Sequence, residues 1–350
     1  MTVRLKIGIG AIVTAMLLSG VAGFVFGRYW SDNRKPNFTN EYVLYVYPET
    51  TVGQIADSLA ACAGTLRPKS VDRAFRKMEV SANLKPGRYV IGPSATSIYV
   101  ARMLVFGWQT PQNMTLSGTI RTKGRLAQKI SSQMMVDSAA VASALEDASF
   151  LEKYGFTPEN VFAMILPDTY QMYWTASVEE IFDRFKKEYD LFWNEERTAK
   201  AKAQGLSRMQ VSVLASIVSG ETLKAFEYPR IAGVYLNRYR KGMKLQADPT
   251  IAFCYDYKLD RILKKHLKVD SPYNTYMHVG LPPAPINVPP KACLEAVLSP
   301  DKNKYIYFCA SPAFDGTHRF AVTYSEHLKN AREFHRALTA RRKAKAAAAK

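Results

Sequence analysis

Histidine, tryptophan and cysteine are scarce in this chain: five, four and four residues among 350. The cysteines, Cys62, Cys254, Cys293 and Cys309, stand alone without a CxxC spacing, which excludes a zinc-ribbon or thioredoxin-like reading. Buried thiols are expected, with one or two disulfides as the alternative if the chain folds outside the cytoplasm. No HExxH pairs the histidines, so neither a metal nor another cofactor is expected. A GxSxG elbow and a P-loop are absent as well, which removes serine-hydrolase and nucleotide-phosphate readings. Acidic residues are also short, 30 against 48 basic ones, for a formal net charge of +18. That balance suits an anionic setting: nucleic acid, anionic lipid or cell-wall polymer. The basic residues are spread along the chain apart from Arg341-Arg342-Lys343-Ala344-Lys345, and no zinc-finger or RNP motif accompanies them, so nucleic acid is not an expected partner.

What is present begins with Ile7 to Phe26, twenty residues without a charge, preceded by Arg4 and Lys6. Twenty residues suffice to cross a bilayer. Gly20-Val21-Ala22 offers a signal-cleavage alternative, but the run is long for a signal h-region, and an uncleaved anchor is expected. Arg28, Arg34 and Lys35 offset the preceding charges, so the positive-inside rule leaves orientation open. Residues 1–28 are thus read as a cytoplasmic stub and transmembrane anchor, and 29–41 as a linker.

The rest reads as α+β. Tyr42 to Tyr47 predicts a strand, Val52, Ile55 and Leu59 a helix, Val71 to Met78 a second helix, Arg88 to Ile91 a strand, and Ile98 to Phe106 a helix. Strand, helix, helix, strand within residues 42–110 is the order of a LysM-like carbohydrate-binding module. Gly53, Ile55, Ala56 and Leu59 match Gly124, Leu126, Ala127 and Ile130 at one offset, which predicts a related second start with a strand near Met114 to Ile120. Ser177 with Glu180 fits a capping box. Residues 111–340 form the expected larger domain, and 341–350 a basic, Ala-rich tail.

The stretch "SIVSGETLKAFEYPRIAGVYLNR", residues 216–238, carries the chemistry. At about 100° per residue, Val211, Leu214, Ile217, Val218 and Glu221 share one helical face, so a carboxylate stands where an aliphatic would be expected. Such a group either pairs with a cation or has its pKa raised until it holds a proton near neutrality, as a general acid does. Arg238, on the buried stripe of the following helix, is the candidate partner; if it instead engages Asp248 or another acid, Glu221 is free. Asp248-Pro249 reads as an N-cap with proline at N1. The irregular run "SPYNTYMHVGLPPAPINVPP" presents Tyr273 and Tyr276 for stacking on sugar faces and Asn274 for an N-acetyl group, or else packs them within turns.

"SIVSGET", "IAGVYLNRYRKGMKLQADPT", "SPYNTYMHVGLPPAPI" and "HRFAVTYSEH", in that order, resemble the endolytic murein transglycosylase (YceG-like) family over roughly residues 40–335. The resemblance implies an enzyme outside the cytoplasm, anchored in the cell (inner) membrane, that cuts peptidoglycan glycan strands between N-acetylmuramic acid and N-acetylglucosamine. The family's catalytic Glu maps onto Glu221. Members often carry an acid and a Lys before it, where this chain has Ser219-Gly220. Asn237, Gln246 and Asp248 fall in the matching motif as candidates to bind sugar or support Glu221, alongside Tyr273, Asn274 and Tyr276. Peptidoglycan strands and the membrane are the implied partners, with peptidoglycan synthases as further ones. Two rivals remain: a hydrolase with Asp248 or Glu227 as second carboxylate, and a non-catalytic wall-binding scaffold.

Overall fold

The computed structural model describes residues 3–348; Met1, Thr2, Ala349 and Lys350, the extreme ends of the expected stub and tail, lie outside the described residues. The chain divides into two compact units, 1–113 with 171–176, and 114–170 with 177–350. The expected boundaries had placed 171–176 in the larger domain.

The first unit runs α1 (Val3–Asn33), β1 (Tyr42–Val46), α2 (Val52–Ala61), α3 (Pro68–Lys77), α4 (Val80–Asn83), β2 (Gly87–Ile91) and α5 (Ser97–Phe106), and the chain leaves it within β3 (Gln112–Thr115). From Ile9 onward α1 is long and apolar enough to cross a membrane, and none of that stretch is buried. Leu17, Leu18, Val21 and Phe24 are more than half exposed, a surface compatible with a single membrane anchor. Its base is fastened by Asp32, which accepts a forked pair from Arg73 Nε and Nη2 at 2.9 and 2.5 Å and a hydrogen bond from Ser70 at 2.6 Å.

Strands β1 and β2 pair antiparallel from Tyr42↔Ile91 to Val46↔Gly87. Alternation puts Leu44, Val46, Tyr89 and Ile91 on one face, where they join Ile55, Leu59, Val71 and Phe75 in one core. A Thr51–Gln54 capping box starts α2, and Gly107, at φ 68°, closes α5. The helix expected at Val71 begins three residues earlier, because Pro68 at the first turn costs no hydrogen bond there.

In the second unit follow α6 (Lys123–Ser131), α7 (Ser138–Ala144), α8 (Ala148–Glu152), β4 (Thr169–Met172, which carries the chain across), α9 (Val178–Phe192), α10 (Glu195–Ala203), α11 (Arg208–Glu221), α12 (Tyr228–Arg240), α13 (Asp248–Cys254), α14 (Lys291–Leu298), β5 (Tyr307–Ala310), β6 (His318–Ala321) and α15 (Tyr324–Ala348). The expected strand at Met114 to Ile120 stops at Thr115. Gly118, at φ 71°, turns the chain, and Leu116 N bonds Asp168 O instead of a strand partner. The matched helices do share one device: Thr51 and Thr122 cap α2 and α6, and Ile55, Leu59, Leu126 and Ile130 are fully buried. The Ser177–Glu180 capping box is formed.

Helix α11 is the centre of this unit. Beyond its apolar stripe, Ser212, Val213, Ala215 and Ser216 are also buried, so the helix is enclosed nearly all round by α12, α13 and α14. The small serines permit that close packing, and each returns its hydroxyl to the helix backbone. The β5–β6 pair, Tyr307↔Ala321 to Ala310↔His318, packs against α15. All four cysteines are free thiols, and only Cys293 is buried. Within the basic tail, residues 341–345 and 347 are exposed at the end of α15.

Candidate active site

Glu221 is the last residue of α11, where unpaired carbonyls concentrate negative partial charge. Its surroundings are more confining still. Burial pushes its carboxyl up to about 7; a hydrogen bond from Tyr235 pulls against that, and the charge of Asp248 adds to it. Tyr235, on the inward face of α12, donates to Glu221 Oε1 at 2.5 Å. Burial, then the facing carboxylate, hold the Tyr235 phenol well above its usual range, so it remains a donor.

Asp248 comes from the start of α13, and Gly220 is what lets α13 approach. A Cβ on Gly220 would lie 2.6 Å from Pro249 Cβ, too close for any side chain without displacement. The departure at Ser219-Gly220 therefore serves packing beside Glu221. The expected N-cap at Asp248 is not formed: Ala247 occupies that position without a side-chain cap, and Asp248 Oδ1 instead accepts from Tyr276 Oη at 2.6 Å.

Arg238 pairs with neither Glu221 nor Asp248, contrary to the expected buried ion pair. Its guanidinium donates to Lys244 O at 2.7 and 3.0 Å, to Ile306 O at 2.8 Å and to Gln246 Oε1 at 2.6 Å. It thus stitches α12 to the 244–246 turn and to the start of β5. Gln246 itself sits at φ 52°, the left-handed region that a non-glycine residue enters at a cost.

Glu221, Tyr235, Arg238, Gln246, Asp248 and Tyr276 line a cavity of about 350 Å³, completed by Tyr307, Phe308, Tyr324 and His327. A second cavity of about 230 Å³ shares Glu221 and Asp248, so the acid borders open space on two sides. Three expected site residues lie elsewhere. Asn237 faces away, donating to Asn303 O and Tyr305 O at 3.0 Å, and it braces the loop that Gly233 allows against α12. Asn274 is fully buried; it donates to Leu267 O and Val269 O and accepts from Tyr276 N, which makes it the keystone of its loop and not an N-acetyl reader. Tyr273 packs on Phe253 with ring centroids 4.5 Å apart. Glu227 is buried and accepts from His318 N at 2.8 Å and from His318 Nδ1 at 2.9 Å, so it ties the turn after α11 to β6.

The side chains that sequence reasoning missed are Tyr235 and the aromatic wall from β5 and α15. The run Tyr305-Ile306-Tyr307-Phe308 was the available signal. The imidazole of His327 stacks on Tyr307 at 5.3 Å, and burial, with the Arg238 charge, lowers its pKa.

The model of the YceG-like family matches residues 44–333, a span that contains the acid, the phenol and the aromatic wall. The chain belongs to the YceG-like family. An endolytic murein transglycosylase of Bacillus subtilis is 36% identical over 154 residues, 44% of this chain and 42% of that protein. One from Streptococcus pneumoniae strain R6 is 24% identical across 93% of this chain and 64% of its own length. The chain therefore spans less than two thirds of these relatives. The crystal structure of a YceG-like protein from Listeria monocytogenes superimposes with a TM-score of 0.55 at 25% identity, covering 83% of this chain and 98% of that one. The family match, residues 44–333, extends over parts of both units described above.

Proposed function

We propose that this YceG-like protein is an endolytic lytic transglycosylase of peptidoglycan. It would be held by α1 in the cell (inner) membrane with both units outside the cytoplasm, and would cut strands between N-acetylmuramic acid and N-acetylglucosamine. The observation that carries this reading is Glu221, whose carboxyl titrates at about 7 beside a cavity of about 350 Å³. A carboxyl poised there is protonated often enough to donate and acidic enough to do so readily.

In the proposed reaction protonated Glu221 gives its proton to the glycosidic oxygen as the bond to the anomeric carbon breaks. The resulting carboxylate, steadied by Tyr235, takes the proton of the C6 hydroxyl of the same muramic acid. That oxygen closes on the anomeric carbon and leaves a 1,6-anhydro end. Glu221 ends protonated, and no water or second carboxylate is consumed. Asp248 acts indirectly, because its charge favours the protonated form of Glu221. The aromatic wall of Tyr307, Phe308 and Tyr324 supplies stacking surface for sugar rings.

The β1–α2–α3–α4–β2 unit is assigned the role of a LysM-like glycan-binding module, on its antiparallel strand pair closing around helices, with the short α4 as an addition to the expected strand, helix, helix, strand order. Ending nascent strands near synthases is the matching cellular role for an anchored enzyme of this kind. One observation favours a second reading: Asp248 stands close enough to perturb Glu221, and a hydrolase would use such a pair. Mass spectrometry of peptidoglycan treated with the full chain in detergent decides between them. Anhydro-muramic ends from wild type and none from Glu221→Gln support transglycosylation; reducing ends support the hydrolase; no cleavage by either protein supports the scaffold.

A further inference from the structure

Helix α5 carries aromatic residues on its outer face. Tyr99, Arg102 and Phe106, at i, i+3 and i+7, share one side of it, and all three are exposed. Gly107, at φ 68°, ends the helix, and Trp108 N reaches back to Met103 O at 3.0 Å, which folds the Trp108 ring onto the same face. The indole lies 5.9 Å from the Tyr99 ring and 5.5 Å from the Phe106 ring, centroid to centroid. Tyr99, Phe106 and Trp108 are 48%, 52% and 47% exposed. A contiguous aromatic patch left that open to solvent marks a contact surface and not a core.

The place of this patch in the first unit points to its partner. At the base of α1, Asp32 accepts from Ser70, and Ser70 Oγ lies 2.8 Å from Ser97 Oγ, so α3 and α5 both start beside that base. From there α3 runs back along α1, and Lys77 at its far end brings its ammonium over the Tyr29 ring, 5.9 Å from the centroid. Helix α5, packed against both α1 and α3, runs the same way, because its far end meets the segment that follows α3. There Lys85 N donates to Leu104 O at 3.0 Å, and a Cβ on Gly107 would lie 3.0 Å from Lys85 Cδ. At about 1.5 Å per residue, Ser97 to Phe106 advances by about 13 Å, and Asp32 back to Phe26, where the uncharged run ends, by about 9 Å. Phe106 and Trp108 therefore come level with the boundary between the apolar span and the polar base of α1. Tyr29 and Trp30, at that same boundary, are exposed as well.

We infer that this face of the first unit rests on the bilayer surface beside α1, with Tyr99, Phe106 and Trp108 at the level of the phospholipid headgroups. The inference rests on the reading of α1 as the anchor and is independent of the glycan chemistry. Tyrosine and tryptophan collect at the membrane–water interface, where an apolar ring and a polar edge are both satisfied. The charge agrees. Over residues 76–108, Arg76, Lys77, Lys85, Arg88 and Arg102 stand against one carboxylate, Glu79. Arg76, Lys77, Lys85 and Arg102 are exposed, as cations that meet anionic headgroups must be. Neutral sugar rings would use the aromatic side chains but leave those cations without a counter-charge.

The test uses the full chain reconstituted in vesicles of phosphatidylethanolamine and phosphatidylglycerol, with a lipid brominated near the headgroup end of its acyl chains as the tryptophan quencher. Of the four tryptophans, Trp174 and Trp193 are buried, so quenching reports Trp30 and Trp108. Trp30→Phe and Trp108→Phe should each remove about half of the quenching seen in wild type, the first reading the anchor and the second the patch. In the Trp30→Phe background, where Trp108 alone reports, adding Arg102→Glu should lower the quenching by about twofold. Quenching that is unchanged in Trp108→Phe and abolished in Trp30→Phe overturns the inference and keeps the anchor. No quenching in any of these proteins overturns the anchor reading and the inference with it. Trp108 emission that responds to soluble glycan strands and not to the brominated lipid overturns the lipid assignment and gives the patch to sugar.

Discussion

Tyr235 Oη and Glu221 Oε1 lie 2.5 Å apart, joining the middle of α12 to the end of α11. The relationship explains how a half-buried, desolvated carboxyl remains useful. Burial alone would hold the proton so tightly that transfer became costly, while the phenol stabilises the charged form that must appear during the reaction. Asp248 works in the opposite direction, and the balance of the three places the group at about 7.

This balance predicts the pH profile. The active form is the protonated acid, so kcat/KM should fall as pH rises through about 7, with full activity on the acidic side of that limb. Glu221→Gln should lose activity by about 10²–10⁴-fold at every pH while retaining wild-type circular dichroism. A profile that rises through pH 7 would mean that the carboxylate acts first as a base.

Removing the phenol tests its contribution. Tyr235→Phe leaves the ring against Phe308, where the centroids are 5.8 Å apart, and deletes the donor to Glu221. A hydrogen bond to a charged group contributes about 1.5–3 kcal/mol, so the alkaline limb should move upward by about one pH unit or more, with kcat reduced. An unmoved limb would show that Tyr235 is not felt by the titrating group.

The same carboxyl affects stability. Its folded pKa, about 7, is above its ordinary value of 4.5, so the stability it contributes is complete below pH 4.5 and is lost as pH rises to about 7. Above that pH the wild type carries a penalty of up to about 3 kcal/mol that Glu221→Gln does not. Thermal melts should therefore show the variant gaining on wild type between pH 4 and pH 8. A constant difference across that range would contradict a raised Glu221.

Much of this was legible beforehand because the signals are local. The period of α11 exposed Glu221 as misplaced, the Ser177–Glu180 box announced α9, and alternation marked β1 and β2. The functional geometry was less legible because side-chain direction decides it. Asn237 and Tyr235 are two residues apart on α12, and the family-like motif favoured Asn237; in the fold Tyr235 turns inward to Glu221 while Asn237 turns outward to the 303–305 loop. Asn274 and Tyr276 flank a turn that buries one and presents the other to Asp248. Arg238 defeated the charge-pair expectation because carbonyls at the end of a turn satisfied it, and no periodic pattern predicts that.

Glu227 distinguishes structure from chemistry. It is 4% exposed and holds both His318 N and the imidazole, so Glu227→Ala strips a buried pair and should cost about 3–5 kcal/mol. The folded fraction should still generate the wild-type product. Purified folded variant that makes no product, with melting unchanged, would return Glu227 to the list of catalytic acids.

Gly220 gives the last prediction. Its missing Cβ is where Pro249 sits, and the helix carrying Pro249 also carries Asp248, so packing and electrostatics are coupled at one residue. Gly220→Ala improves local helix propensity by up to about 1 kcal/mol but inserts a methyl at 2.6 Å from Pro249 Cβ, an overpacking that costs about 1–3 kcal/mol. The net expectation is a modest loss of stability. Relief comes by moving α13 away, which takes the Asp248 charge from Glu221 and lowers the acid's pKa, so the alkaline limb should shift downward. A stability loss with an unshifted limb would indicate that α11 yields instead of α13, and that Asp248 keeps its place beside the acid.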